Sequence, residues 1–466
     1  MKALALGTIA SVVKGELNNS ASALDSEVLA TGFSVDSRQI EAGDVFVATR
    51  GERVDGHDFA TQACERGAIL VLSERDIPEI PCVVVGDCVA ALGLIASWYR
   101  HEVLSAQVIG LTGSSGKTTT KDIIAQVLDG QVVAAPGSFN TEIGLPLTVL
   151  EADPETDFLV LEMGMRGLGH IRHLVEVADP DIALVLNVGT AHVGMMEAPG
   201  DIARAKGEIV EGLRPDAVAV LNADDPQVKA MQDRTFAETI FFGEQAGVDI
   251  QAFDIRIDDQ GRPRFGLSVR GESAGSVQLT MHGEHFVSSA LAAAAVAHAA
   301  GMSTDVIAER LSKSRIVSPW RMEVRESESG VTVVNDAYNA NPESMRAALK
   351  ALRSMSGGRR TWAVLGEMRE LGEQSVSEHD AIGRLAVRLD ISRLVCIGTE
   401  TKVMHLAASN EGSWGDESVW VPDIAAAIEL LDAQVKPGDV VLVKASRAIG
   451  LEKVAEHLLR DNEAPS

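Results

Sequence analysis

The run Val108-Ile109-Gly110-Leu111-Thr112-Gly113-Ser114-Ser115-Gly116-Lys117-Thr118-Thr119-Thr120 constrains this chain more than any other stretch. Its apolar, β-branched first half predicts a buried strand, its Gly/Ser middle a turn, and Lys-Thr-Thr-Thr the start of a helix. Small residues let backbone N–H groups approach an anion, and a helix N-terminus adds a favourable field. In such a corner Lys117 reaches terminal phosphates and the Thr118 hydroxyl suits Mg²⁺. The strict motif asks for Gly five residues before Gly116, where this chain carries Leu111, so the loop is a shortened variant resting on Gly113 and Gly116. The plain alternative is an ordinary strand–turn–helix corner.

The chain has 466 residues, enough for roughly three domains. A formal charge of −26 provides no basic field for a phosphate backbone and argues against nucleic-acid binding. Local N–H groups, a lysine and a metal can still hold a nucleotide. The four cysteines, Cys64, Cys82, Cys88 and Cys396, make no metal spacing, and free thiols in a reducing, cytoplasmic compartment are expected. Lys2, the apolar Ala3 to Val13 and Ala21-Ser22-Ala23 imitate a leader. Thr8 and Ser11 interrupt that run, and Ile9, Val12 and Val13 recur at helical spacing, so a short amphipathic helix is predicted. No segment is apolar and long enough to span a membrane, the Ala290–Ala300 run included.

Three regions are expected: 1–105, a small α/β unit; 106–315, a central unit with a mainly parallel sheet; and 316–466, a second doubly wound, Rossmann-like unit. Strands are predicted at 44–48, 68–72 and 82–85, then at 158–161, 182–186 and 217–221, and finally at 331–334, 361–365, 394–397 and 440–443. Residues 249–281 carry turn signals and alternation that predict an antiparallel excursion, followed by a helix over 286–301.

In an open parallel sheet the carboxyl ends of the strands face the ligand. Glu162 ends one strand and is a candidate Mg²⁺ ligand beside Thr118. His192 follows the next, either as a second metal ligand or as an ordinary histidine. Lys206 lies on a helix, where pairing with Glu208 or Glu211 is the plain reading. In the third region the loops Asn335–Ser344, Gly366–Gly372 and Lys444–Arg447 all follow strands, and three polar loops at one sheet edge suggest a pocket for a second substrate.

These residues together resemble the Mur ligase superfamily, and within it the branch that joins D-alanyl-D-alanine to UDP-N-acetylmuramoyl-tripeptide. The likeness runs almost end to end. Asp36-Ser37-Arg38 and Gly51 to Phe59 resemble the domain that holds the UDP-sugar substrate. Thr112 to Thr119 resembles the ATP loop, and Asn140-Thr141-Glu142-Ile143-Gly144-Leu145-Pro146 the loop that meets the UDP-muramoyl substrate. Tyr338-Asn339-Ala340-Asn341-Pro342, Leu365 to Gly372 and Val443 to Arg447 are the parts most particular to that branch. Asp-Asn-Pro-Arg, expected in the sister ligase that adds diaminopimelate or lysine, is absent. The family's His-Asn-x-x-Asn is here His285-Phe286-Val287-Ser288-Ser289, in which Phe286 offers a stacking face and Ser289 a short hydroxyl.

The resemblance implies an ATP-dependent amide ligase working through an acyl phosphate. It implies ATP contacts at Gly113, Ser114, Ser115, Gly116, Lys117, Thr118, Thr119, Arg321 and Asp336, and two Mg²⁺ sites from Thr118, Glu162, His192 and a CO₂-derived carbamate on Lys206. Lys117, Lys206, His192 and Glu162 would be the catalytic set. Ser37, Arg38, Asn140 and Thr141 would meet the UDP-sugar peptide. Asn339, Asn341, Lys444 and Arg447 would hold D-alanyl-D-alanine, with one of the two cations on its carboxylate. A monomer is expected. Another amino-acid-adding Mur-type ligase (diaminopimelate- or lysine-adding), a folylpolyglutamate synthase-like ligase and a simple nucleotide switch are the rival readings; the last two do not need the first region.

Overall fold

Three large sheets succeed one another along the chain in a computed structural model that describes every residue except 25–27, 52–53, 190–199, 413–414, 416 and 461–466. His192 lies outside the described residues, as do Glu52 and Arg53 of the first-region motif.

The first sheet has five strands in the order Glu16–Leu17, Cys82–Val84, Leu70–Ser73, Asp44–Val47 and Gly32–Ser34, parallel except at Glu16–Leu17. The helix Leu6–Val13 buries Leu6, Ile9, Ala10 and Val13, the face its apolar spacing predicts.

The central sheet has nine strands. Gln107–Thr112 lies in the parallel part, between Phe158–Glu162 and Ile182–Val185. Its Val108, Ile109 and Leu111 are fully buried, because helices cover both faces of the sheet. The excursion predicted over 249–281 forms three antiparallel strands, Ile250–Ile257, Pro263–Val269 and Glu272–Gln278, added to the edge strand Glu238–Gly243. The Ala-rich helix Phe286–Ala299 packs on the helix Lys117–Val127 and on this sheet, with Ala292 to Ala297 fully buried. No helix among the described residues is long and apolar enough to cross a membrane.

The third sheet runs Glu323–Glu326, Thr332–Asn335, Val440–Lys444, Thr361–Leu365, Arg393–Ile397 and Ser418–Val421, parallel beyond its first strand. Residues 315–318 join it to the central unit and are fastened to the Lys117–Val127 helix. Asp122 Oδ2 accepts from the N–H groups of Val317 (3.4 Å) and Ser318 (2.9 Å). Gln126 donates to the Arg315 carbonyl (2.7 Å) and accepts from its N–H (3.0 Å). Just beyond, Trp320 (φ 59°) and Met322 (φ 47°) adopt left-handed backbone on either side of Arg321.

Candidate active site

The carboxyl ends of the central strands open on a cavity of about 570 Å³, closed on its far side by the third unit. Two glycines shape the loop that enters it, for different reasons. Gly116 takes φ 79° as it caps the helix, a conformation that side chains disfavour. Gly113 has no such need; a Cβ there would come within 2.9 Å of Leu186 Cβ.

Asn187, the second residue beyond the Ile182–Val185 strand, clamps this loop. Its Oδ1 accepts from Ser114 N–H (2.9 Å) and Ser115 N–H (3.0 Å), and its Nδ2 donates to the Ser115 carbonyl (3.1 Å). Gly189 N–H donates to Ser114 Oγ (2.8 Å). The first N–H groups of the helix, which have no intrahelical carbonyl, remain to receive an anion. Thr119 is buried and also lines the cavity. Lys117 donates to the Gly113 carbonyl (2.7 Å). Burial holds its ammonium below the usual lysine range, as does Arg321, against the pull of Glu162.

Thr118 Oγ1 donates to Glu162 Oε2 (2.9 Å), and Asn140 Nδ2 donates to Glu162 Oε1 (2.7 Å). Arg321 reaches across from the third unit to donate to Thr118 Oγ1 (2.9 Å) and Ser138 Oγ (3.2 Å), with its guanidinium 3.9 Å from the Tyr338 ring centre. Thr118, Glu162, Asn140 and Arg321 thus meet in one network. Asn140 touches the carboxylate of Glu162, and Thr141 Oγ1 accepts weakly from Gly144 N–H (3.4 Å).

Lys206 is only 2% exposed and has no hydrogen bond or ion pair to a described residue. The plain reading of a salt bridge to Glu208 or Glu211 fails. Glu208 accepts from Gly169 N–H (2.7 Å) and Arg172 N–H (3.1 Å) at the start of the His170–Ala178 helix. Glu211 pairs with Arg234 (2.7 Å) and Arg172 (3.4 Å). Burial, and then the nearby charge of Lys117, push the Lys206 amine well below the ordinary lysine value.

The third-unit loops are more committed than their sequence suggests. Lys444 is buried and bonded to Asp336 Oδ2 (2.6 Å) and the Asn339 carbonyl (2.8 Å), so its charge is already matched. Asp336 Oδ1 also accepts from Met322 N–H (3.0 Å), fixing the segment that carries Arg321. Asn341 caps the helix Pro342–Met355 by accepting from Ser344 N–H (2.8 Å), while its Nδ2 donates to the Ser114 carbonyl (3.3 Å). Asn339 is exposed at the cavity rim. Arg447 is exposed, pairs with Glu452 (3.0 Å), stacks 4.2 Å from the Trp320 ring centre and does not line the cavity.

Ser37 and Arg38 also lie away from the cavity. Ser37 donates to Gln62 (2.8 Å), and Arg38 forks onto Asp36 (2.9 and 2.7 Å), whose carboxyl is lowered to about 2 by that contact. At the departure from the family pattern, His285 and Phe286 both line the cavity with ring centres 4.1 Å apart, and burial pushes His285 down to about 4. Ser289 lines it as well. The sequence reading missed Asn187, Ser138, Arg166 and His170, of which Asn187 had a signal: it follows a buried strand at the ligand edge.

Family models for the Mur ligase family catalytic domain, the Mur ligase middle domain and the Mur ligase glutamate ligase domain match residues 30–92, 111–297 and 320–447. The UDP-N-acetylmuramoyl-tripeptide–D-alanyl-D-alanine ligase of Mycobacterium leprae is 43% identical, over 98% of this chain and 98% of its own. A crystal structure of MurF from Acinetobacter baumannii matches with a TM-score of 0.89 at 29% identity, over 99% of this chain and 100% of that one. The MurF ligase of Thermotoga maritima, solved in complex with ADP, matches with a TM-score of 0.80 at 32% identity, over 93% and 98%. Matched over nearly its whole length, the chain belongs to the Mur ligase family, in the branch of the UDP-N-acetylmuramoyl-tripeptide–D-alanyl-D-alanine ligases.

Proposed function

We propose that this chain uses ATP to join D-alanyl-D-alanine to UDP-N-acetylmuramoyl-tripeptide, completing the pentapeptide precursor of peptidoglycan. The observation that carries the reading is the convergence of Lys117, the Thr118–Glu162 pair and Arg321 on one cavity between the central and third units. Relatives with this activity match nearly the whole chain.

The chemical difficulty is that a carboxylate is a poor electrophile and an anion approaching anionic ATP. Its oxygen attacks the γ-phosphorus, ADP leaves, and an acyl phosphate forms. The dipeptide amine then attacks the acyl carbon, loses a proton, and expels inorganic phosphate. Lys117 and the helix N–H groups hold the phosphates in line. Arg321 and Asp336, from the other side, close over the nucleotide, excluding water that would hydrolyse the acyl phosphate.

Thr118 and Glu162 are oxygen donors that suit Mg²⁺, a cation that binds through one or two carboxylates plus phosphates and water. Bound there, Mg²⁺ would spread the charge of phosphoryl transfer. Lys206, with its depressed amine, suits carbamylation, and together with His192 would complete a second site. Residues 1–105 would hold the UDP-sugar, 106–315 ATP and 316–466 the dipeptide. All four cysteines are free thiols, which fits a cytoplasmic enzyme. We take it to act as a monomer.

Phosphate release from the purified chain tests the reading. Release should require ATP, tripeptide and D-alanyl-D-alanine together. Release without the dipeptide would indicate a nucleotidase, and turnover on a folate with glutamate the rival ligase.

Asn341 supplies a second check. Asn341→Leu loses the cap and the Ser114 contact, and should cost about 1 kcal/mol of stability. Asn341→Asp keeps a capping oxygen but loses the donor to Ser114. It should melt near the native temperature, while the Michaelis constant for ATP rises roughly twofold to tenfold, the worth of one hydrogen bond. An Asn341→Asp change confined to the dipeptide constant would place Asn341 in the second-substrate pocket instead.

A further inference from the structure

The cavity has two walls of different origin. One belongs to the third unit and carries Arg321, Tyr338 and Asn341. The other is made by central-unit loops, one entering the helix Gly144–Glu151 and one following Glu162. That helix packs on the Cys88–Glu102 helix and the Gly32–Ser34 strand of the first unit, and Tyr99 of the first unit donates to the Ala152 carbonyl (2.9 Å). A substrate anchored on the first unit therefore enters along this second wall.

Three ionisable side chains stand on it: Glu142, Arg166 and His170. His170 Nδ1 lies 3.0 Å from Glu142 Oε1, with both side chains partly exposed. Arg166 is exposed and has no ion-pair partner among the described residues. The wall thus presents a carboxylate, held by His170, and a guanidinium without an ion-pair partner among the described residues, together the complement of a group bearing both an ammonium and a carboxylate.

On the ligase reading above, the reacting carboxylate belongs to the third residue of the tripeptide, so that residue's side chain lies against the walls of the same cavity. A lysine side chain ends in an ammonium alone and would leave Arg166 unsatisfied beside it. A diaminopimelate side chain ends in an ammonium and a carboxylate, and would engage both Glu142 and Arg166. We propose that Arg166, with Glu142 and His170, reads the distal end of the third residue and selects a diaminopimelate-terminated tripeptide over a lysine-terminated one.

The test compares kcat/KM of the full chain for the two purified tripeptides at saturating ATP and D-alanyl-D-alanine. The native chain should favour diaminopimelate by about tenfold or more, the scale set by one charge-assisted, partly exposed contact. Arg166→Gln should bring the ratio close to one by raising the Michaelis constant for the diaminopimelate substrate. Glu142→Gln, which removes the negative charge facing an ammonium that both substrates carry, should weaken both. Arg166 is exposed, so the variant should melt with the native protein. Equal use of both tripeptides by the native chain would overturn the proposal. So would an unchanged ratio in Arg166→Gln, or a rise in the dipeptide constant alone. Absence of turnover on either tripeptide would instead strike the ligase reading beneath it.

Discussion

Lys117→Ala is expected to abolish ligation, with kcat lowered at least about a hundredfold, the scale of removing one preorganised electrostatic group. The protein should stay folded. Among the described residues Lys117 makes one side-chain hydrogen bond, to the Gly113 carbonyl, and alanine is the best helix former at its position in the first turn. The loop itself is held by Asn187 rather than by Lys117. The loss has a second component. The charge of Lys117 helps to keep the Lys206 amine deprotonated, so removing it leaves Lys206 easier to protonate and harder to carbamylate. Circular dichroism with steady-state kinetics checks both halves; near-normal turnover by a folded variant would remove the phosphate loop from the mechanism.

Lys206→Ala should lose activity on a comparable scale and regain part of it when formate or acetate is added. A carbamate is a carboxylate-like ligand, and the alanine leaves a space that a small carboxylate can enter. Lys206→Met should be equally inactive but should not respond, because its side chain fills that space. Rescue of both variants, or of neither, would count against a carbamate. Stability supplies an independent readout. The fold resists protonating Lys206, whereas the unfolded chain holds it charged up to about pH 10.4. The penalty is therefore full below the folded-state pKa, shrinks as pH rises from there, and is gone above the ordinary lysine value. In CO₂-depleted buffer Lys206→Met should melt above the native chain near neutrality, with the gap closing as pH is raised.

The phosphate loop, Glu162 and the alternation of strands and helices were legible because each depends on neighbours in sequence. A buried parallel strand must be apolar, and the residues just past its carboxyl end must be polar. The short edge strand Ser418–Val421 was not legible, since its apolar run Val419-Trp420-Val421 is only three residues long and is cut off by Pro422. Nor was the commitment of Lys444. In the sequence it is a cation after a strand, free to hold a carboxylate; in the fold Asp336, 108 positions away, already occupies it. Asn341 illustrates the same limit. Its capping role is local and readable from Asn-Pro-Glu-Ser, but its contact with Ser114 crosses 227 positions. The removal of Glu208 from Lys206 depends on a helix start that only the packing supplies.

The fastening of residues 315–318 to Asp122 and Gln126 has a mechanical consequence. One rigid rod carries the phosphate loop's end at Lys117 and, about 14 Å away at Gln126, the fastening of the linker to the third unit, at 1.5 Å per residue. The linker and the phosphate loop thus share a frame of reference. Arg321, three residues beyond Ser318, is therefore placed against Thr118 by the same helix that carries Thr118. Loosening the fastening would disturb the aim of Arg321 without touching the loop that Asn187 holds.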